Sequence, residues 1–490
     1  MKILIADFKI AKYGGIVEHV VAKVKALKSL GHDVDIVQLC PKPISQASFD
    51  KRIKELSADS YNSKLVHNSQ NGGYELDEAT GYWKNCYYGF FLPPSNVVGV
   101  YEPDALKKWK SLTSDVDLIM WNFMPTKNGI WFEDKNNKDF SFWWKFYDLP
   151  TDRTKQIFIV HDSYFDVRAS NVSALRDKIL FLECAHIAAY QCCEHIGIPR
   201  TLLLNPRFFD KDSKMPIKMM DKRKYDFFAA HMFKSMKHME DLIRAIPYIN
   251  PEEGEELNGQ PFPFSVRLAG SGIEQAYMVA DKKIKPAYVC DRKRDPDLPK
   301  ELDGKEPIWV RGERHGMEYL GQISPEDVNW NLLNSKFAID PSWCKHYAQY
   351  CRTHINGFII EAMLNGCYPV LRDYRGLVKK EVDDPIFENI KAVIIPWDAT
   401  PKQFAKALHK ASCMSPKQYL RDTKYNYDFV KELFNAEKNM SEVIKLVQGG
   451  KKLVKKECEL GKDSEKVVQT TKEIMEDFFD IELPIMWRTD

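Results

Sequence analysis

The sequence alternates strand-like apolar runs with helical patterns, and it does so in two separate series. In the first series, residues 2–7 form an apolar strand pattern, residues 17–30 place valine and leucine at helical spacing, and residues 34–39 form a second strand pattern. Gly31 follows the helix, where glycine commonly stands after a helix C-cap. A strand, a helix and a strand at this spacing predict a right-handed parallel crossover, which constrains the chain to an α/β fold.

The alternation of strand and helix patterns continues through the first series and begins again in a second one. Residues 116–120 and 156–160 are further strand patterns, and residues 210–224, rich in lysine and aspartate, separate the two series. The second series has strand patterns at 225–230, 264–269, 337–340 and 368–371, and helical patterns at 239–249 and 358–365. We therefore predict two α/β domains in succession.

Length and local composition predict the domain limits. A chain of 490 residues is long enough for two or three domains. We expect an N-terminal domain over residues 1–220, a second domain over residues 221–445, and a C-terminal helical extension over residues 446–490 that packs back on the first domain. Residues 41–114 and 125–150 are rich in aromatic residues and lack a clear period, so both are predicted to be insertions in the first domain.

The composition excludes several classes of protein. No run of about 18 apolar residues is present, and the N-terminus lacks the features of a signal peptide, so we expect a cytoplasmic protein without a membrane partner. The 11 cysteines are scattered without a CxxC pair, which predicts reduced thiols and no metal site. The net charge of +2 neither requires nor excludes a polyanionic partner.

In the first series, candidate functional residues follow the strands, because open α/β sheets bind ligands at the carboxyl ends of their strands. Gly14 and Gly15 follow the first strand and open a helix, where free N–H groups could meet a phosphate; the alternative is a tight turn alone. His161 and Asp162 follow the strand that ends at residue 160. They are candidate catalytic residues that orient a hydroxyl or move a proton, or else a structural histidine beside a capping aspartate.

In the second series, the candidates point to an anionic nucleotide. Lys234 and Lys237 lie just before a helix, where two cations make sense if an anion binds among them; the alternative is a pair of solvated lysines. Gly272 closes a strand. Glu361 is embedded in an apolar helix that starts near Gly357, and a carboxylate there needs hydrogen-bond partners such as ribose hydroxyls; the alternative is a surface or salt-bridged glutamate.

These residues carry a family resemblance. The stretch 356–370 resembles the donor-site signature of retaining GT-B glycosyltransferases of the glycosyltransferase 4 type, with one extra residue before its Pro-Val pair. The matching residues are Glu361, Ala362, Met363, Gly366, Pro369 and Val370. Lys237 resembles the phosphate-binding lysine of that family, and Gly14 and Gly15 resemble its glycine turn. The resemblance implies two Rossmann-like parallel-sheet domains facing a cleft, a UDP-sugar as donor substrate, and no required cofactor.

Within that family, the similarity is greatest to the phage enzymes that glycosylate 5-hydroxymethylcytosine in DNA. The similar segments are residues 14–34, residues 161–163 and residues 350–361. This implies double-stranded DNA containing modified cytosine as the partner. Basic and aromatic candidates for the acceptor site are Trp143, Trp144, Lys145 and Arg168.

The sequence departs from the family pattern at two positions. The family has a second glutamate eight residues before Glu361, where this chain has Thr353, and His354 and Asn356 are the candidates to replace it. The family arginine before the lysine is Met232 here, and Lys234 and His231 are the candidates to supply its charge. Arg352 is a further candidate donor ligand. The altered residues leave both hexose and pentose donors open.

The resulting hypothesis is sugar transfer with retention, in which lysines stabilise the leaving diphosphate. Two alternatives remain. One is a GT-B transferase that acts on a polysaccharide, lipid-linked or protein acceptor. The other is a non-catalytic module that binds sugar nucleotides or nucleic acid, which Thr353 in place of a glutamate motivates.

Overall fold

The structure is a computed structural model, and the statements below concern only the residues that it describes. These are residues 1–8, 15–40, 43–59, 75–85, 89–122, 145–149, 154–161, 178–185, 198–202, 207, 215–216, 218–231, 233, 237–250, 264–270, 288–342, 356–373 and 389–449. They divide into two compact units. The first contains the described residues up to 207 together with those from 436 onwards, and the second contains those from 215 to 435.

The first unit is built on a seven-stranded sheet in the order β10-β9-β8-β7-β1-β2-β6, and every neighbouring pair is parallel. Its elements are β1 Lys2–Phe8, α1 Gly15–Ser29, β2 Asp33–Cys40, α2 Gln46–Asp59, β3 Glu75–Leu76, β4 Trp83–Asn85, β5 Gly89–Phe91, β6 Val97–Gly99, α3 Ala105–Thr113, β7 Leu118–Trp121, β8 Lys155–Val160, β9 Phe181–Cys184, β10 Arg200–Leu202 and α10 Ala436–Val447. Strands β3, β4 and β5 form a separate antiparallel sheet.

The second unit is built on a six-stranded parallel sheet in the order β13-β12-β11-β14-β15-β16. Its elements are β11 Tyr225–Ala230, α4 Met239–Ile249, β12 Val266–Ala269, α5 Ile308–Arg314, β13 Met317–Tyr319, α6 Pro325–Asn334, β14 Ser335–Asp340, α7 Gly357–Leu364, β15 Tyr368–Arg372, β16 Val393–Ile395, α8 Pro401–Ser412 and α9 Pro416–Leu433.

Both large sheets have the doubly wound strand order of Rossmann-like domains. In each, the first three strands extend the sheet in one direction, and the fourth strand pairs with the first and extends it in the other. The central strands are buried along their length; every residue of β7, for example, is buried. Such near-continuous apolar strands are typical of parallel sheets covered on both faces.

The helix α10 packs against α1 in the first unit. Val17, Val20 and Val24 of α1 belong to the same buried cluster as Met440 and other apolar residues of α10. The Nζ atom of Lys155 also donates a hydrogen bond to the carbonyl of Val447 at the end of α10. The units therefore divide at 435/436, whereas 445/446 was expected from the sequence, because α10 completes the core of the first unit.

The expected insertion at residues 41–114 needs a correction. Its last part belongs to the main sheet: β6 pairs with β2, and α3 is the helix that leads to β7. Strand β6 has only three residues, too few to give a periodic signal. The additional structure lies before it, in α2 and the small sheet of β3, β4 and β5. Of the second expected insertion, 125–150, Phe146 and Tyr147 are buried in the core.

No helix among the described residues combines the length and the hydropathy that a membrane-spanning segment needs.

Candidate functional site

The sheet of the second unit changes its direction of growth between β11 and β14, and polar residues stand there. His231 follows β11, and Asp340 is the last residue of β14. The Nε2 atom of His231 lies 3.4 Å from Oδ1 of Asp340, and both side chains are mostly buried. Doubly wound sheets bind ligands at the carboxyl ends of their strands beside this switch point.

Helix α7 begins at the same edge of the sheet. Asn356 is its N-cap, and its Oδ1 accepts a hydrogen bond of 3.3 Å from the backbone N–H of Ile359. The Nδ2 atom of Asn356 donates to Oδ2 of Asp340. The ring of Phe358 packs edge-on against His231 with centroids 4.9 Å apart. Glu361, on this helix, is partly buried.

A glycine is required next to His231. Gly270 follows β12 with a φ of 150°, and a Cβ atom there would lie 1.8 Å from the carbonyl oxygen of His231. Hydrogen bonds hold this position on both sides: the N–H of Gly270 donates to Gly321 at 2.8 Å, and the hydroxyl of Tyr319 donates to the carbonyl of Gly270 at 2.7 Å. The backbone at the ends of β11 and β12 is therefore closely packed.

Lys237 lies just before α4, beside an ionic network. His238, with a left-handed φ of 47°, has its Nδ1 3.5 Å from oxygens of both Glu240 and Asp241. Burial disfavours the charged imidazole, but the hydrogen bonds to Asp241 and Glu240 outweigh it and raise the pKa of His238. Burial also opposes ionisation of Asp241, but the hydrogen bond from His238 and the charge of Arg372 hold the pKa of that carboxyl well below its ordinary value.

In the described part of the chain, the ligand atoms of His238, Glu240 and Asp241 are close enough together to hold a metal ion. Two guanidinium groups already form salt bridges with Asp241: Nη1 of Arg372 lies 2.6 Å and Nη1 of Arg244 lies 3.8 Å from its oxygens. With these cations in place, the carboxylates suit a protonated imidazole better than a metal ion.

The first unit has a comparable cluster at its own switch point, between β1 and β7. Asn122 follows β7, and its backbone N–H donates to Ala6 of β1 at 2.9 Å. His161 follows β8, with Nε2 2.8 Å from Oδ1 of Asn122. His19 of α1 stacks on His161 with ring centroids 5.4 Å apart. If the amide oxygen accepts from Nε2–H, the other nitrogen of a neutral His161 ring is an acceptor of hydrogen bonds or protons.

The structure brings together only some of the candidates from the sequence. His231 and Asn356 meet through Asp340, Gly357 and Glu361 lie on α7, and Lys237 precedes α4. Gly15 opens α1, and Lys145 is exposed. Other candidates lie outside the described residues: Gly14, Trp143, Trp144, Asp162, Arg168, Lys234, Gly272, Arg352 and His354. The assigned roles of all these residues stay predictions.

Sequence reasoning missed three residues of the two clusters: His19, Asn122 and Asp340. Two of them stand at the carboxyl end of an apolar strand, and this position was the available signal. His19 had none of that kind, since it lies in the helical pattern and approaches His161 only through the packing of α1 on the sheet.

Comparison with known proteins gives matches in structure. Neither a protein-family model nor a curated protein sequence matches the chain. An α-glucosyltransferase in complex with UDP-glucose and DNA containing an abasic site is similar with a TM-score of 0.55 and 13% identity, over 91% of this chain and 99% of that chain. An α-glucosyltransferase in complex with UDP and a 13-mer DNA containing a central A:G mismatch has a TM-score of 0.56 and 11% identity, over 91% and 100% of the two chains.

A third structure binds different molecules. A mutant of TarM from S. aureus, in complex with Fondaparinux, alpha-GlcNAc-glycerol and UDP, is similar with a TM-score of 0.53 and 10% identity, over 91% of this chain and 99% of that chain. At these identities the likeness shows the fold alone. It confirms the expected fold class, which is the pairing of two Rossmann-like units found in GT-B glycosyltransferases.

Proposed function

We propose that this chain is a glycosyltransferase that moves a hexose or pentose from a UDP-sugar to an acceptor hydroxyl with retention, and that the acceptor is hydroxymethylated cytosine in DNA. One observation carries the proposal: Asp340, His231 and the start of α7 meet at the switch point of a doubly wound sheet. That point is where such sheets bind nucleotides. The fold match to proteins solved with UDP or UDP-glucose supports the same reading.

The donor would bind the second unit. Helices α4 and α7 both begin after strands that end at this edge, and helix N-termini offer free N–H groups to phosphates. Lys237, with Lys234, would bind the diphosphate, and Glu361 would accept hydrogen bonds from ribose hydroxyls. Gly272, Arg352 and His354 remain proposed donor ligands.

The main catalytic contribution would be electrostatic. As the bond to the sugar breaks, negative charge grows on the leaving diphosphate. Lys237 and Lys234 would neutralise that charge, and one such donor contributes about 3–4 kcal/mol in comparable sites. His161 and Asp162 would orient the acceptor hydroxyl or the sugar. The scheme needs no metal ion.

The DNA acceptor is supported by the two similar structures that contain DNA. A base in a duplex must leave the stack to react, which costs a few kcal/mol. Trp143, Trp144, Lys145 and Arg168 would then contact the backbone and stack on bases. Because phosphate contacts release counterions, DNA binding should weaken steeply between about 50 and 200 mM salt. Binding that is insensitive to salt would remove the DNA acceptor.

A second candidate acceptor is a polymer other than DNA. The match to TarM, solved with Fondaparinux, alpha-GlcNAc-glycerol and UDP, has nearly the same TM-score as the matches to the α-glucosyltransferases solved with DNA. Fold similarity alone therefore does not choose between a DNA and a polyol or polysaccharide acceptor.

The deciding experiment combines UDP-glucose, UDP-N-acetylglucosamine and a UDP-pentose, one at a time, with DNA that contains hydroxymethylcytosine, followed by mass spectrometry of the nucleosides. Unmodified DNA is the acceptor control. We expect one donor to add its sugar mass to hydroxymethylcytosine. Sugar transfer to a polyol polymer with none to DNA would favour the second candidate.

Two variants test whether the chain is an enzyme at all. Glu361→Ala and Lys237→Ala should abolish transfer and donor hydrolysis. Lys222→Ala is the matched control, because Lys222 is 74% exposed and pairs only with Asp221 among the described salt bridges. If wild type shows neither transfer nor hydrolysis with any donor or acceptor while still binding UDP, the chain is a non-catalytic binding module.

A further inference from the structure

We propose that Asp340 is a positioning residue, which acts through Asn356 to fix the first turn of α7 and thereby the direction of the Glu361 carboxylate. The inference rests on the proposed donor site and adds to it a role for Asp340, which lies outside the 356–370 signature.

Both oxygens of Asp340 are occupied. Oδ1 accepts a hydrogen bond of 3.1 Å from the N–H of Ser342 and lies 3.4 Å from Nε2 of His231. Oδ2 accepts from Nδ2 of Asn356. The side chain is only 11% exposed, and a buried carboxylate is costly unless it is paired and hydrogen-bonded. Asp340 therefore uses both oxygens to order its neighbours.

Asp340 selects one of the two orientations of the Asn356 amide. In the observed orientation, Nδ2 faces the carboxylate and Oδ1 accepts from the N–H of Ile359 at 3.3 Å. In the flipped orientation, the amide oxygen would face a carboxylate oxygen, and the amide nitrogen would face a backbone N–H. One contact would then place an acceptor against an acceptor, and the other would place a donor against a donor. The carboxylate therefore makes the capping orientation the stable one.

The cap matters for Glu361 because α7 is short. The helix has eight residues, and Glu361 stands five residues after its N-cap. At the other end, Arg223 donates to the carbonyls of Asn365 at 2.9 Å and Gly366 at 2.7 Å. The helix is thus fixed at both ends, and loss of the N-cap frees the turn that precedes Glu361.

The pairing can be tested with a reciprocal exchange. Asp340→Ala and Asn356→Ala each remove one partner, and each should weaken UDP binding by calorimetry and raise the KM for the UDP-sugar about tenfold, with little change in kcat. The double exchange Asp340→Asn with Asn356→Asp restores a donor opposite an acceptor and keeps a good N-cap residue. It should recover binding to within about threefold of wild type.

A matched control lies in the same sheet, at the amino-terminal ends of its strands and so away from the proposed donor site. Asp226, near the start of β11, accepts from the N–H of Ser265 at 3.0 Å and pairs with Lys336 at 2.7 Å. Asp226→Ala should lower the melting temperature without changing UDP binding. This separates a positioning effect from a general loss of stability, and the double exchange keeps the test available if Asp340→Ala does not fold.

The outcomes separate the two proposals. Glu361→Ala is measured first. If it leaves UDP binding unchanged, the proposed donor site is wrong. If Glu361→Ala weakens binding but Asp340→Ala and Asn356→Ala do not, the positioning role is overturned and the donor site stands. If Asp340→Ala still weakens binding in the Glu361→Ala background, Asp340 does not act through Glu361, and the inference also fails.

Discussion

Lys23 of α1 and Glu183 of β9 form an ion pair in which each side chain is only 1% exposed. Burial lowers the pKa of Lys23, although the charge of Glu183 and the hydrogen bond to it oppose the shift. The second carboxylate oxygen of Glu183 has no hydrogen-bond partner among the described residues. Each charge therefore depends on the other.

Removing one charge of this pair should destabilise the first unit more than removing both. Lys23→Met leaves an uncompensated buried carboxylate, and breaking such a pair costs about 3–5 kcal/mol. The double variant Lys23→Met with Glu183→Leu removes that penalty. Urea denaturation should show a lower midpoint for the single variant than for the double. Equal losses would mean that Glu183 is neutral or solvated in the folded protein.

Substitution of Gly270 should lower the folding stability of the second unit. The added methyl of Gly270→Ala would lie 1.8 Å from the carbonyl oxygen of His231, on backbone that cannot move without disturbing two strands. We expect a loss of several kcal/mol or failure to fold. Gly304→Ala is the control, because Gly304 also has a positive φ but open space around its Cβ position. The two melting temperatures should differ clearly.

The stability of the second unit should depend on pH through His238. Its pKa is raised in the folded protein, so the stabilisation is complete below the unfolded value of about 6.5 and is lost as pH rises through the folded value. Glu240 and Asp241 face the imidazole, and Arg372 and Arg244 contact Asp241.

The measurement is the urea midpoint between pH 5.5 and 8.5 for wild type and His238→Asn, since asparagine tolerates the left-handed backbone of this position. The difference between the two proteins should shrink as pH rises. A difference that is constant over this range would show that the charge on His238 does not contribute.

Asn122 should affect the chemistry of transfer if His161 takes part in it. Asn122→Ala removes the oxygen that lies 2.8 Å from Nε2 of His161 and so frees the ring and its tautomer. We expect kcat to fall about tenfold with an altered pH profile. Asn96→Ala is the control, because Asn96 is a buried asparagine bonded to Asp35 at 2.9 Å. An unchanged kcat for Asn122→Ala would exclude a role through His161.

The long central strands could be predicted from sequence because most of their residues are apolar. Residues 225–230 were predicted as a strand, and β11 has these bounds. The short strands β6, β10, β13 and β16 have three residues each and were not predicted, because so few residues show no period. Their pairing comes from the neighbouring strands instead.

The site was predictable only to the level of single positions. Asn356 was a candidate because it could replace the second glutamate of the family pattern, but its pairing with Asp340, 16 residues away, depends on how β14 and α7 meet. Likewise, His161 was expected from its place after a strand, whereas His19 joins it through packing across the sheet. Contacts of this kind have no signature in local sequence.

The docking of α10 on α1 has a consequence for biosynthesis. The ribosome makes β1 to β10, then the whole of the second unit, and only then the helix whose Met440 and Val443 cover the valines of α1. During that interval the nascent first unit exposes an apolar stripe. A chain that terminates before residue 436 should therefore aggregate or recruit chaperones, even though every strand of both large sheets has already been synthesised.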